Sequence, residues 1–112
     1  MKKIEAIVRL SQFDRIRDEL AKIGVNFFTL TEVKGFGLQK GKQMVYRGSV
    51  YDSDYIARLR LDILCATEKV DAIIETIVKA GRTGEIGDGK IIVTDVEYIV
   101  RIRSGETNEE AI

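Results

Sequence analysis

Histidine is absent from the 112 residues, which removes Ser-His-Asp and Cys-His catalysis, most zinc geometries and the side chain that titrates most readily near neutral pH. Cysteine occurs once, as Cys65, so there is neither a disulfide framework nor a thiolate cluster for a metal. The apolar run "LDILCA" around it predicts a buried core thiol. Net charge is missing as well. With 18 basic residues against 18 acidic ones, the chain lacks the electrostatic footprint of a general nucleic-acid binder, and duplex DNA is not an expected partner. No apolar run reaches the length of a membrane span. In "MKKIEAIVRL", Glu5 and Arg9 interrupt the apolar stretch before it can serve as a signal peptide's hydrophobic region. The expectation is a cytoplasmic protein of one domain, without membrane insertion.

Periodicity supplies the architecture. Ile4, Ala6, Val8 and Leu10 alternate with Lys3, Glu5, Ile7 and Arg9, the pattern of a half-buried strand. Phe13, Ile16, Leu20 and Ile23 recur at helical spacing, with Ser11 as an expected N-cap and Gly24 as the stop, predicting a helix over about 12–23. "VNFFTLTEVKG" reads as strand two. A second copy begins near residue 57, where Leu59, Leu61, Ile63 and Cys65 alternate with Arg60, Asp62 and Leu64. Thr67 is the expected cap of a helix striped by Val70, Ile73, Ile74, Ile77 and Val78, Gly81 its expected end, and strand four spans about 90–96. Two strand-helix-strand units in series predict an α+β, ferredoxin-like double βαβ fold, with an antiparallel sheet and both helices on one face. Ile7, Phe28, Leu30 and Leu64 are candidates for the other face, and "EYIVRIRSGE" predicts an extra short strand; both features call for a homo-oligomer.

Between strands two and three lies "FGLQKGKQMVYRGSVYDSDY", a stretch without sustained periodicity in a domain of otherwise short connections. Gly37, Gly41 and Gly48, three tyrosines and Arg47 mark it as a partner-binding loop, against the alternative of an insertion with no partner.

"RTGEIGDGKI" places Gly84, Gly89 and Lys90 at the G-x-x-x-x-G-K spacing of a phosphate-binding loop. A Walker loop runs from strand to helix; here a helix precedes and a strand follows, and Ile91 stands where Ser or Thr would hold magnesium. It is not a Walker motif. Gly84, Gly87 and Gly89 permit backbone angles that turn consecutive N–H groups inward as an anion nest, with Lys90 adding charge. Arg101 and Arg103, two apart on the expected last strand, share a side and can add bidentate contacts. On the local motif alone, an ordinary glycine-rich turn stays the leading reading.

"TEVKGFGLQKG", "YRGSVY", "RTGEIGDGKI" and "VRIRSGE" resemble, in order and spacing, the segments that mark the PII nitrogen-regulatory proteins, across essentially the whole chain. The resemblance implies a single PII-like domain over residues 1–112 that assembles as a homotrimer, with a T-loop at about 36–55, a glycine-rich B-loop at about 82–90 and a C-terminal strand and tail at about 97–112. It implies ATP or ADP in the clefts between subunits. Thr83, Gly84, Gly87, Asp88, Gly89 and Lys90, with Arg101 and Arg103, would hold phosphates, while Gly35, Gly37, Leu38, Asp62 and Leu64 would line the cleft. Gln39 would complete a Mg2+ site with ATP, shared with the effector 2-oxoglutarate, around which Lys40, Gly41, Arg58 and Gly87 would gather. Arg47 would enter the exit of an ammonium transporter, or the T-loop would meet a nitrogen-regulatory enzyme; Ser49 and Tyr51 match modified positions. The chain departs from the family pattern at Leu38 (usually Arg), Val50 (Ala or Glu), Arg58 (Lys) and Ile92 (aromatic). The expected activity is regulation through binding, not catalysis. The alternatives are an adenine-nucleotide sensor for bicarbonate or carbon metabolism, and a slow ATPase, for which no base and no water-positioning carboxylate can be assigned.

Overall fold

Alternation builds the sheet. In β1 (Lys2–Arg9), Ile4, Ala6 and Val8 are buried on one face and Lys3, Glu5, Ile7 and Arg9 occupy the other. The long strand β5 (Ser53–Cys65) repeats the pattern, burying Leu59, Leu61, Ile63 and Cys65. These two strands pair antiparallel with Ile4 opposite Ile63 and Ala6 opposite Leu61, so their apolar sets coincide. Flanking them are β2 (Thr29–Leu38) and β6 (Lys90–Asp95), in the order β2-β5-β1-β6. Helices α1 (Phe13–Lys22) and α2 (Val70–Gly81) lie on the buried face, closing it with Ile16, Leu20, Ile73 and Ile77. This is the predicted ferredoxin-like α+β arrangement. The computed structural model of the chain describes residues 1–38, 44–46, 49–51 and 53–112, and the side chains of residues 1–36 and 56–112.

The helix starts differ from expectation. Ser11 and Thr67 lie within the 3-10 turns Leu10–Gln12 and Thr67–Lys69 that lead the chain into each helix, and neither helix has a side-chain cap. The Thr67 hydroxyl instead accepts a hydrogen bond from the N-terminal ammonium at 3.2 Å. Gly24, at φ +87°, does close α1: its N–H donates to the Ala21 carbonyl at 3.1 Å and that of Val25 to Leu20 at 2.9 Å, a Schellman motif. Gly81 works otherwise. It is the buried last residue of α2, and a Cβ there would sit 3.2 Å from Ile16 Cδ1, so its role is close packing of α2 on α1.

Register corrects the expected face of two side chains. β2 begins at Thr29 rather than Val25, and Leu30 stands opposite the buried Leu61, on the helix side. Phe28 packs against the core edge-on to Phe13, with ring centroids 6.0 Å apart. Only Ile7 and Leu64 of the four expected residues lie on the helix-free face, opposite Arg60 and Lys3. A period of two makes the face depend on pairing, which one strand's sequence does not reveal.

The long loop also carries more strand than its pattern suggested. β2 and β5 stay paired out to Leu38 opposite Ser53, a two-stranded ribbon reaching beyond the other strands, and β3 (Met44–Tyr46) pairs with β4 (Ser49–Tyr51). Conversely, the extra strand expected after the core is only an isolated bridge, Val100 with Thr107. Residues 102–104 turn, closed by hydrogen bonds of 2.8 Å from Arg101 N–H to the Glu106 carbonyl and from Gly105 N–H to the Arg101 carbonyl. Arg101 and Arg103 therefore do not share the face of a strand.

Candidate functional site

Between Gly81, where α2 ends, and Lys90, where β6 starts, Gly84, Gly87 and Gly89 take φ values of +88°, +104° and +100°. Such angles are open to glycine and strained for other residues. Close approach adds to the requirement, since a Cβ on Gly89 would fall 1.8 Å from the Ile7 carbonyl oxygen and one on Gly87 would fall 2.8 Å from an Arg58 guanidinium nitrogen.

Asp88 is the hub of the loop. One carboxylate oxygen accepts the N–H groups of Thr83 and Gly84, each at 2.9 Å. The other accepts the Thr83 hydroxyl and, at 2.9 Å, Arg9 Nε. The Thr83 hydroxyl first, and Arg9 beside it, hold the Asp88 carboxyl well below the usual carboxylate range. Two donors that the sequence nominated for an external anion are thus engaged by the chain's own carboxylate. Arg9 also donates to the Ile86 carbonyl at 2.9 Å. Arg58 donates twice to the Gly87 carbonyl, at 3.1 and 2.8 Å, and once to the Ala57 carbonyl at 2.9 Å. Arg9 and Arg58 are opposite each other in the β1/β5 ladder, so the register of the two central strands delivers both guanidiniums to the loop.

The helix-free face continues from there. Glu5 and Asp62, directly opposite, are bridged by Arg60, whose Nε lies 3.7 Å from Glu5 and 3.4 Å from Asp62. The Lys3 ammonium is 3.7 Å from Asp62 Oδ1, a buried oxygen that makes no hydrogen bond. A cavity of about 310 Å³ opens beside the loop, with apolar walls from Val8, Ile74, Ile77, Val78 and Ile91 and with Arg82, Asp88, Gly89 and Lys90 of the loop itself at its edge. Among the described residues, no group of three or more carboxylate, thiol or imidazole side chains is placed to hold a metal, and no helix is long and apolar enough to cross a membrane. The loop gathers guanidiniums and main-chain dipoles, and the carboxylate they hold in this structure is that of Asp88.

The family model for nitrogen regulatory protein P-II matches residues 1–106. The chain is 48% identical to the nitrogen regulatory protein P-II of Pasteurella multocida and 45% identical to P-II 1 of Escherichia coli K12, in each case over 112 residues and the full length of both proteins. The chain belongs to the PII family. Its fold matches the crystal structure of Arabidopsis thaliana PII bound to citrate with a TM-score of 0.82 and 36% identity, over 99% of this chain and 91% of that one.

For this PII chain, Thr83, Gly84, Gly87, Asp88, Gly89 and Lys90 fall together in one loop, with Arg58 against Gly87. Asp62 and Leu64 follow along the same face of β5, and Gly35 lies opposite Ile56 at the base of the ribbon. Gly37 and Leu38 end β2 and Ser49, Val50 and Tyr51 form β4, but their side chains lie outside the described ones. Gln39, Lys40, Gly41 and Arg47 lie outside the described residues altogether. Arg101 and Arg103 are not brought to the loop. β6 carries the chain from Lys90, opposite Ile7, to Asp95, opposite Lys2, roughly 17 Å along the strand, before either arginine is reached. Arg101 there meets Glu106 at 3.5 Å and the Ile112 carbonyl at 3.3 Å. Arg9 is the residue that sequence reasoning missed. Alternation placed it on the helix-free face, but its partner Asp88 is 79 positions away and only the β1/β6 pairing brings them together.

Proposed function

We propose that this PII chain is a trimeric signal-transduction regulator that binds ATP and ADP at the 82–90 loop and controls its targets through the loop between β2 and β5. The observation that carries the reading is the loop itself, with three glycines at positive φ held against Arg9 and Arg58 and Lys90 at its exit. Arg101 and Arg103 come after the Asp95 end of β6, roughly 17 Å along the strand from Lys90, and Arg101 there meets Glu106 and the Ile112 carbonyl, which supports an assembly in which another copy's arginines reach the phosphates. Buried Asp62 Oδ1, paired with the Lys3 ammonium at 3.7 Å but accepting no hydrogen bond, supports a ligand N–H or O–H at that point of the cleft. Cys65, His-free chemistry and the engaged Asp88 offer no base, which supports binding over turnover. Magnesium would rest on nucleotide phosphates and on Gln39, a set of hard oxygen donors suited to that ion. Arg47 is the proposed contact for an ammonium transporter, with a nitrogen-regulatory enzyme as the other T-loop target and Ser49 and Tyr51 as modification sites. The citrate-bound Arabidopsis relative supports an anionic effector in this fold.

Calorimetric titration of ADP and ATP into the wild-type chain and Lys90→Ala tests the reading. Removing the charge-assisted contact is expected to weaken both nucleotides more than about tenfold with the fold intact. Equal affinities would place the phosphates elsewhere. For 2-oxoglutarate, retention of the Gln39 region supports binding that depends on Mg-ATP and is absent with ADP. A second reading, a sensor of adenine nucleotides for another pathway, is favoured by Arg58, whose guanidinium already donates to Gly87 and Ala57. Heat on titrating 2-oxoglutarate into the Mg-ATP form supports the first; no heat at millimolar ligand supports the second.

A further inference from the structure

We infer that Arg9 is a positioning residue for the phosphate loop, acting through the Asp88 carboxylate and the Ile86 carbonyl. The inference rests on the reading of residues 82–90 as a nucleotide-phosphate loop. Asp88 is a fixed negative charge in the middle of a loop assigned to bind an anion, which is tolerable only if the charge is turned away and compensated. Both conditions are met. The carboxylate is drawn back onto Thr83 and Gly84, and Arg9 Nε lies 2.9 Å from it. A terminal nitrogen of the same guanidinium donates to the Ile86 carbonyl at 2.9 Å. In a trans peptide the carbonyl and the N–H that follows it point in opposite directions, and no peptide here is cis. A carbonyl fixed toward Arg9 therefore turns the Gly87 N–H away from the guanidinium. Arg58 does the same one residue later, fixing the Gly87 carbonyl and turning the Asp88 N–H away. Gly87, at φ +104°, is the residue whose freedom allows the two successive peptides this arrangement. Its closeness to both guanidiniums, 3.3 Å from Arg9 and 2.8 Å from Arg58 for an added Cβ, puts the two cations on one side and the outward N–H groups on the other. An incoming phosphate meets donors with Asp88 screened behind them.

The test compares the full chain as wild type, Arg9→Met and Arg9→Lys, by titration with ATP, ADP and adenosine and by amide exchange of the nucleotide-free protein. Arg9→Met is expected to weaken ATP and ADP by about tenfold or more while leaving adenosine binding unchanged, since the lost charge-assisted bond shapes only the part of the site that meets the phosphates. Exchange at Thr83 and Gly84 should quicken, and Arg9→Lys, whose ammonium still reaches a carboxylate, should restore most of the affinity. Wild-type ATP and ADP affinity in Arg9→Met, or an equal loss for adenosine, overturns the inference. If Arg9→Met does not fold, Arg9→Gln, which keeps a donor but no charge, carries the test with the same selective loss expected, and its absence is equally decisive. A wild-type chain that binds no nucleotide defeats the reading of the loop, and unchanged exchange in Arg9→Met then separately defeats the clamp.

Discussion

The glycine loop and the C-terminal segment carry the two halves of the proposed phosphate site, and they are built in opposite ways. The loop is closed by its own chain: Asp88 gathers Thr83 and Gly84, and Arg9 and Arg58 reach in from the central strands. The segment after β6 has little of this. Its turn is closed by main-chain bonds around Arg101, while Tyr98, Val100 and Ile102 are 62%, 50% and 100% exposed. A preformed half loses little conformational freedom when a ligand arrives, whereas a half of exposed apolar side chains needs a neighbour to bury them. One region is specified within the subunit; the other leaves apolar side chains that only a neighbour would bury.

Substitutions can break this contrast from either side. Gly89→Ala strikes the preformed half hardest, because the new Cβ would fall 1.8 Å from the Ile7 carbonyl oxygen at φ +100°. It is expected to cost at least about 2 kcal/mol in urea unfolding and to abolish nucleotide binding. A variant of wild-type stability would show that the loop adapts freely and is not preformed. Ile102→Ser addresses the other half. Fully exposed in the single chain, Ile102 should tolerate the change within about 0.5 kcal/mol of subunit stability, while light scattering shows a shift from trimer toward monomer. A trimer of unchanged strength would move the interface off this segment.

The smallest effect expected is a null one with a definite sign. Asp88 has a depressed folded-state pKa, so its contribution is complete above the unfolded value of about 3.9 and is lost only as pH falls through the lower folded value. Amide chemical shifts of Thr83 and Gly84 should hold constant from neutral pH down to about pH 4. A titration centred near 4 would mean that the carboxylate is not held as described. Cys65 gives a parallel check in the core, where burial pushes its thiol up and the side chain is 4% exposed. Thiol reagents should label the native protein far more slowly than the unfolded chain.

How much of this could be read in advance follows from what is local. The alternation of Ile4, Ala6 and Val8, the stripe of Ile73 and Ile77 and the stop at Gly24 are encoded within a few residues, and each lies as the pattern required. Leu30 was misplaced because its face is fixed by pairing with β5 and not by its own sequence, and Phe28 because it precedes β2 and packs on Phe13. Ser11 and Thr67 looked like caps, but a 3-10 turn at each helix start removed the geometry a cap needs. The glycine spacing of the loop was visible; its occupation by Asp88 was not, since a carboxylate beside glycines reads equally as ligand contact or as staple. The "VRIRSG" run looked like a strand because strand propensity describes a surface waiting for a partner, and a single chain does not supply one there.

The ribbon formed by β2 and β5 has unequal rails. Its β5 rail, Ser53–Cys65, contains no glycine and runs unbroken from the long loop past Arg58 into the centre of the sheet. The β2 rail carries Gly35 and Gly37, opposite Ile56 and Asp54. Bending stress applied at the far end should therefore be absorbed on the β2 side, where backbone torsions are least restricted, while β5 transmits rotation to Arg58 as a stiff shaft. Sliding is a different matter: a slip of one residue would turn every β5 side chain to the wrong face, so the register of β5 keeps Arg58 against the glycine turn.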